Sequence, residues 1–184
     1  MSTDKPTFPK ISGADLRLAV VAARYNNTLV EALIRRVLET FKQHEVSPRN
    51  VELRRVPGSN ELPYVANMLA ATGQFDCIVA LGVIISGDTM HDKVIAHNTA
   101  AALASIGFST EVPVINGILT VNNVKQAEER ITGAMDRGGE FAMAALEMAR
   151  HKIELTERLD AIEAEESQIG SDADFDPDQF FKNN

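Results

Sequence analysis

Within five positions, Gly87-Asp88-Thr89-Met90-His91 collects a backbone-opening glycine, a carboxylate, a hydroxyl and an imidazole. The set directly follows the apolar run Ala80–Ile85 and Ser86. Those residue types suit an anion and a moving proton. Gly87 lets the backbone approach a ligand, and Thr89 offers a hydroxyl. A helix starting just behind them presents unpaired N–H groups and a positive dipole end. His91, in that helix's first turn, is the candidate proton-transfer residue, since a neutral imidazole there can accept a proton. Arg130, in KQAEERITG, offers a bidentate guanidinium for a phosphate, against the default reading of a helix-surface arginine paired with a glutamate. Glu61 can accept from sugar hydroxyls. Tyr25 can stack on a flat heterocycle, or be ordinary core edge.

Other chemistries find less support. His44, His97 and His151 read as helix-surface residues. No histidines or carboxylates are spaced as a metal site, so no metal is expected. Neither glycine-rich nucleotide-phosphate loop is present, and no serine or cysteine nucleophile stands beside a base in a recognisable motif. Cys77 lies inside an apolar run and reads as a buried small hydrophobe.

The elements that must carry these residues alternate strand and helix. RLAVVAARYNN opens with a strand, Leu18 to Ala23, broken at Arg24-Tyr25-Asn26-Asn27. Leu29, Leu33, Val37 and Phe41 then recur at helical spacing, with Asn27 or Thr28 as cap. NVELRRVPG is a second strand. NELPYVANMLAATG is a second helix, with Asn60 as cap, Pro63 in its first turn and Gly73 at its end. FDCIVALGVIIS is apolar on both faces, as a central parallel strand must be. A third helix follows, closed by Gly107, then the strand VPVINGILT and a fourth helix capped by Asn122 or Asn123. Gly138-Gly139 reads as a break before a long fifth helix.

This order predicts an α/β fold: a flavodoxin-like three-layer α/β/α sandwich around a four-stranded parallel sheet. Ligands in such sheets bind beyond the carboxyl ends of the strands. Four segments are therefore expected at that edge: Arg24-Tyr25-Asn26, Pro57 to Glu61, Ser86 to His91, and Asn116-Gly117.

The 184 residues suffice for one domain with a good core. Residues 1–152 carry 16 basic and 16 acidic side chains, whereas 153–184 carry 2 and 10. The division read from this is an N-terminal arm over 1–16, a body over 17–152, and a helix extension with an acidic tail over 153–184. Disorder is expected over 167–184. Leu155, Leu159 and Ile162 fall on one stripe of the extension and read as packing on this subunit or a neighbour. No segment concentrates basic charge, so nucleic acid is not an expected partner. The apolar runs are too short to cross a bilayer, and no membrane partner is expected. A cytoplasmic protein fits the single cysteine.

Taken together, ARYNN, VPGSNELP, ALGVIISGDTMH, PVINGILT and KQAEER stand in the order and spacing of 6,7-dimethyl-8-ribityllumazine synthases. The chain resembles that family of riboflavin biosynthesis over roughly residues 16 to 150. The resemblance implies a transferase that condenses 5-amino-6-(D-ribitylamino)uracil with 3,4-dihydroxy-2-butanone 4-phosphate to the lumazine, releasing phosphate and water. It implies no cofactor, and pentamers that some members pack into an icosahedral capsid. By position, Tyr25 and Asn26 match the segment carrying the aromatic that stacks on the pyrimidine. Ser59, Asn60 and Glu61 match the ribityl-binding segment, and Val83, Ile84 and Ile85 the pyrimidine-pocket lining. Gly87, Asp88 and Thr89 match the phosphate loop, His91 the proton-transfer residue, and Arg130 the phosphate-binding arginine. The resemblance implies that Asn116 and Arg130 reach the site from the adjacent subunit.

The sequence also departs from the pattern. Ser86 replaces the usual arginine, Asp92-Lys93 the usual aromatic-acidic pair, and Asn116 a common phenylalanine; Ala134 stands near an expected lysine. Ser86 and Lys93 favour an alternative reading, a non-catalytic paralogue that binds flavin or lumazine or forms a shell. His91, Glu61 and Arg130 favour the enzyme.

Overall fold

The computed structural model describes residues 7–171. Residues Leu18–Ala23 form β1, every one of them buried, which only a strand covered on both faces tolerates. The chain then alternates: α1 (Asn27–Gln43), β2 (Val51–Val56), α2 (Leu62–Ala70), β3 (Cys77–Ile85), α3 (His91–Thr110), β4 (Val114–Val121), α4 (Val124–Ile131) and α5 (Arg137–Ser171). The sheet order is β2-β1-β3-β4 and every pairing is parallel. The expected α/β sandwich with a four-stranded parallel sheet is what forms.

Alternation along the strands divides the core. Ala19, Val21, Ile78 and Ala80 point to one face, where α2 supplies Leu62, Ala66, Leu69 and Ala70 and α3 supplies Leu103 and Ile106. Helix α1 buries Val30, Leu33, Ile34, Val37 and Phe41, and α5 buries Ala142, Ala145, Leu146 and Ala149. A Cβ at Gly138 would fall 2.5 Å from Arg36 Cβ, so the first turn of α5 lies against α1.

Helix boundaries depart from expectation. Gly107 does not close α3: the helix runs to Thr110 and is closed by Glu111, whose φ of 59° is left-handed and whose N–H reaches the Gly107 carbonyl. Gly138-Gly139 is no break either. Both lie in the first turn of α5, where a Cβ at Gly138 has no room and one at Gly139 would displace the Asp136 carboxylate, whose Oδ2 would be 2.5 Å away. Asn60 is not a cap, because a 3₁₀ turn, Ser59–Glu61, precedes α2. Asn123 caps α4 by accepting from the Gln126 N–H at 2.9 Å.

The stretch read as an arm is held at its end. Leu16 is fully buried, and the Gly13 N–H donates to the His44 carbonyl at 2.7 Å. Arg150 pairs with Asp15 and holds its carboxyl below the usual range. Compact packing groups the chain to Lys152 as one unit and from Ile153 as another. Leu155, Leu159 and Ile162 are exposed on this chain. Of the tail expected to be disordered, residues up to Ser171 are helical, and 172–184 lie outside the described residues. Among the described residues, no helix is long and apolar enough to cross a membrane.

Cys77 is fully buried at the start of β3, and burial pushes its thiol far above the ordinary range. We expect the native protein to resist thiol-labelling reagents at pH 8, with modification following global unfolding. Rapid labelling of native protein would contradict a β3 enclosed on both faces.

Candidate active site

Four parallel strands send their carboxyl ends to one edge, and hydrogen bonds fix the loops that leave it. The Arg24 N–H donates to the Val56 carbonyl at 2.8 Å, and the Tyr25 N–H to the Pro57 carbonyl at 3.2 Å. These bonds join the exits of β1 and β2. Asn26 then turns the chain into α1 through a left-handed conformation (φ 54°), one that asparagine tolerates better than most residues. Its side chain does not cap the helix. Instead Nδ2 donates to the Val83 carbonyl at 2.8 Å, beyond Leu81, the last β3 residue paired with β1. The Ser86 N–H donates to the Val121 carbonyl at 2.8 Å and joins β3 to β4.

The turn after β2 is equally constrained. The Gly58 N–H donates to Glu61 Oε2 at 2.7 Å. A Cβ at Gly58 would meet that carboxylate at 3.1 Å and the Tyr25 ring at 3.2 Å, so the ring and the turn pack closely around this glycine. Ser59 is buried, and its Oγ fills the space where a Cβ of Gly82 would lie at 2.6 Å.

These loops surround a cavity of about 650 Å³, within the ordinary range for a small-molecule site. Tyr25, Asn26, Ser59, Asn60, Glu61, Val83, Ile84, Ile85, Gly87, Thr89 and His91 all line it. Tyr25 is 75% exposed at the mouth, whereas Val83 and Ile84 are buried in its floor. Apolar floor, aromatic mouth and polar rim together suit a flat ring bearing a hydroxylated chain. Among the described residues, no group of three or more His, Cys, Asp or Glu is placed to hold a metal ion.

Three candidate residues lie elsewhere. Asp88 is exposed and does not line the cavity, although both its neighbours do. Asn116 is not at the strand-end edge: it pairs with Ala80 near the start of β4, and its Oδ1 accepts from the Ile118 N–H at 3.1 Å. Ala80 and Ile85 are five positions apart, roughly 16 Å along a strand. Arg130 is half-buried on α4, donates Nη1 to the Gln126 carbonyl at 3.2 Å, and has no carboxylate partner among the described residues.

The family model for 6,7-dimethyl-8-ribityllumazine synthase matches residues 15–152. A relative in Thermococcus gammatolerans, itself named 6,7-dimethyl-8-ribityllumazine synthase, is 40% identical over 137 residues, covering 74% of this chain and 88% of that one. The chain belongs to the 6,7-dimethyl-8-ribityllumazine synthase family. The family match covers all four strands and every residue of the cavity.

Four lining residues lie outside the segments that the sequence pointed to: Asp92, Val94, Ile95 and Asn98. A usable signal existed for three of them. Val94, Ile95 and Asn98 stand three, four and seven positions after His91, so all four share one face of α3. In this lumazine synthase family member the cavity wall is therefore that face of α3 as well as the loops.

The Asn26 geometry makes two effects separable. Asn26→Gly keeps access to the left-handed conformation and loses the bond to Val83, and we expect it to cost roughly 0.5–1.5 kcal/mol. Asn26→Ala adds backbone strain of about 1–2 kcal/mol. Chemical denaturation ranks the variants. Equal stability of the alanine variant and wild type would contradict the assignment.

Proposed function

We propose that this chain condenses 5-amino-6-(D-ribitylamino)uracil with 3,4-dihydroxy-2-butanone 4-phosphate, yielding 6,7-dimethyl-8-ribityllumazine, phosphate and water. One observation carries the reading: in a member of this family, an aromatic mouth, a polar turn, an apolar floor and an imidazole meet around one cavity. The pyrimidine lies over Val83, Ile84 and Ile85 beneath Tyr25. The ribityl hydroxyls face Ser59, Asn60 and Glu61. The phosphate meets Gly87, Thr89 and the N–H groups that open α3, with Asp88 in the same loop. His91, the first residue of α3 and so beside that anion, moves the protons.

The chemistry asks little else of the protein. The amine attacks the ketone and a first water leaves as the Schiff base forms; phosphate then departs, and the ribityl-bearing amine closes the ring onto the second carbonyl carbon with loss of a second water. Each step moves a proton between substrate and His91 or water. Holding both substrates in register supplies up to ~7–11 kcal/mol. Proton transfer by a placed imidazole adds about 10²–10⁴-fold.

The reading also implies that the site is completed by a neighbouring copy. Arg130 is outside this chain's cavity and lacks a carboxylate partner among the described residues, which supports delivery of its guanidinium, with Asn116, to an adjacent subunit. Of the 20 residues in α3, only Asp92, Thr99, Leu103 and Ile106 are buried within the chain. Tyr64, Met68 and Phe108 are exposed at 73%, 52% and 91%, which supports coverage by neighbours. We infer a pentamer, or pentamers packed into larger shells, working in the cytoplasm.

Mixing the purified protein with both substrates should generate the product's fluorescence; a protein that binds the product without making it would be the non-catalytic paralogue. His91→Ala should lower turnover about 10²-fold and leave residual activity. Arg130→Ala should act mainly on KM for the phosphate substrate. Light scattering should return a multiple of five 20.1 kDa chains, and a monomer would contradict the assembly.

A further inference from the structure

Ser86, where the resembled pattern usually has arginine, makes a contact that gives it a role of its own. Its backbone is anchored, because its N–H donates to the carbonyl of Val121, the last residue of β4. From this fixed point its Oγ donates to Asp92 Oδ2 at 2.9 Å. Asp92 is the second residue of α3, is 8% exposed, and lies in the cavity wall. A carboxylate that deep requires a donor, and the positive end of the helix adds to its stability there. The bond thus closes a ring over Gly87, Asp88, Thr89, Met90 and His91.

Inside that ring little else constrains the chain. Gly87 has open space around it, and the bond from the His91 N–H to Thr89 Oγ1 is long, at 3.4 Å. Asp88, Thr89, Met90 and His91 are all exposed. We infer that Ser86 and Asp92 are positioning residues: their bond locks the end of β3 to the first turn of α3 and holds Thr89 and His91 at the cavity wall. The inference rests on the function proposed above, and it reverses the sequence-based reading of Ser86 as a mark of lost chemistry.

Two readouts test the lock. In hydrogen–deuterium exchange on the full chain without ligand, peptides covering 91–98, where the Val94 N–H donates to the Met90 carbonyl at 3.1 Å, should exchange about tenfold faster in Ser86→Ala and Asp92→Asn, while Ser86→Thr, which keeps the hydroxyl, behaves as wild type. In steady-state kinetics, Ser86→Ala should raise KM for the butanone phosphate about tenfold with less than a twofold change for the pyrimidine, and Ser86→Thr should restore it. The double variant Ser86→Ala/Asp92→Asn should match either single variant rather than multiply their effects. Unchanged exchange would overturn the lock, and faster exchange with unaltered kinetics would overturn its positioning role. A wild-type protein without turnover would instead sink the proposed function, and the exchange comparison would still decide the clamp.

Discussion

Everything in this structure depends on the shared direction of four strands. A parallel sheet needs a crossover after each strand, so the loops that follow the strands gather at one edge. The order β2-β1-β3-β4 also makes the first crossover and the second run to opposite sides of β1. The crevice lies where they part, between the exits of β1 and β3, and the Asn26 bond to the Val83 carbonyl spans it. Loops held only by their own sequence would not keep a cavity open. Here each is stitched to the neighbouring strand by a backbone or side-chain bond.

The stitching explains why glycine and asparagine occupy particular places. Asn26 accepts a left-handed turn and uses its amide across the sheet. Gly58 lets an aromatic ring rest on the backbone. Gly82, in the middle of β3, leaves room for the Ser59 hydroxyl. These choices serve the cavity rather than the core, which is made by residues such as Leu18, Val20, Leu33 and Phe41. Cavity and core therefore draw largely on separate residues, and the lock inferred between Ser86 and Asp92 extends that division to the loop after β3.

Much of the fold was legible because burial on both faces leaves a plain mark. The runs Leu18–Ala23 and Cys77–Ile85 have no polar alternation, and helices rise between them at regular spacing. Helix ends were harder. Gly107, Gly138 and Gly139 looked like punctuation, but each sits within helix, and at Gly138 the Arg36 Cβ and the Leu33 carbonyl leave no room for a side chain. Loop residues of the cavity were legible because they follow strands. The α3 wall was not, because Val94, Ile95 and Asn98 look like an ordinary helix face until His91 is placed on it. The place of Asn116 was misjudged, because it sits in a strand without ending one and so lies away from the edge. The pairing of Ser86 with Asp92 needs three-dimensional proximity that no spacing rule supplies.

The central claim is that this cavity becomes a catalytic site when a neighbouring copy brings Arg130 to it. Subunit mixing measures that directly. His91→Ala and Arg130→Ala chains, each crippled alone, are unfolded, combined in equal amounts and refolded together. Assayed with the butanone phosphate well below its KM, where both losses show, sites drawing an intact imidazole from one chain and an intact guanidinium from the next should recover about a quarter of the wild-type rate, as random assembly requires. A mixture no more active than the sum of the two separate variants would contradict a site shared between subunits.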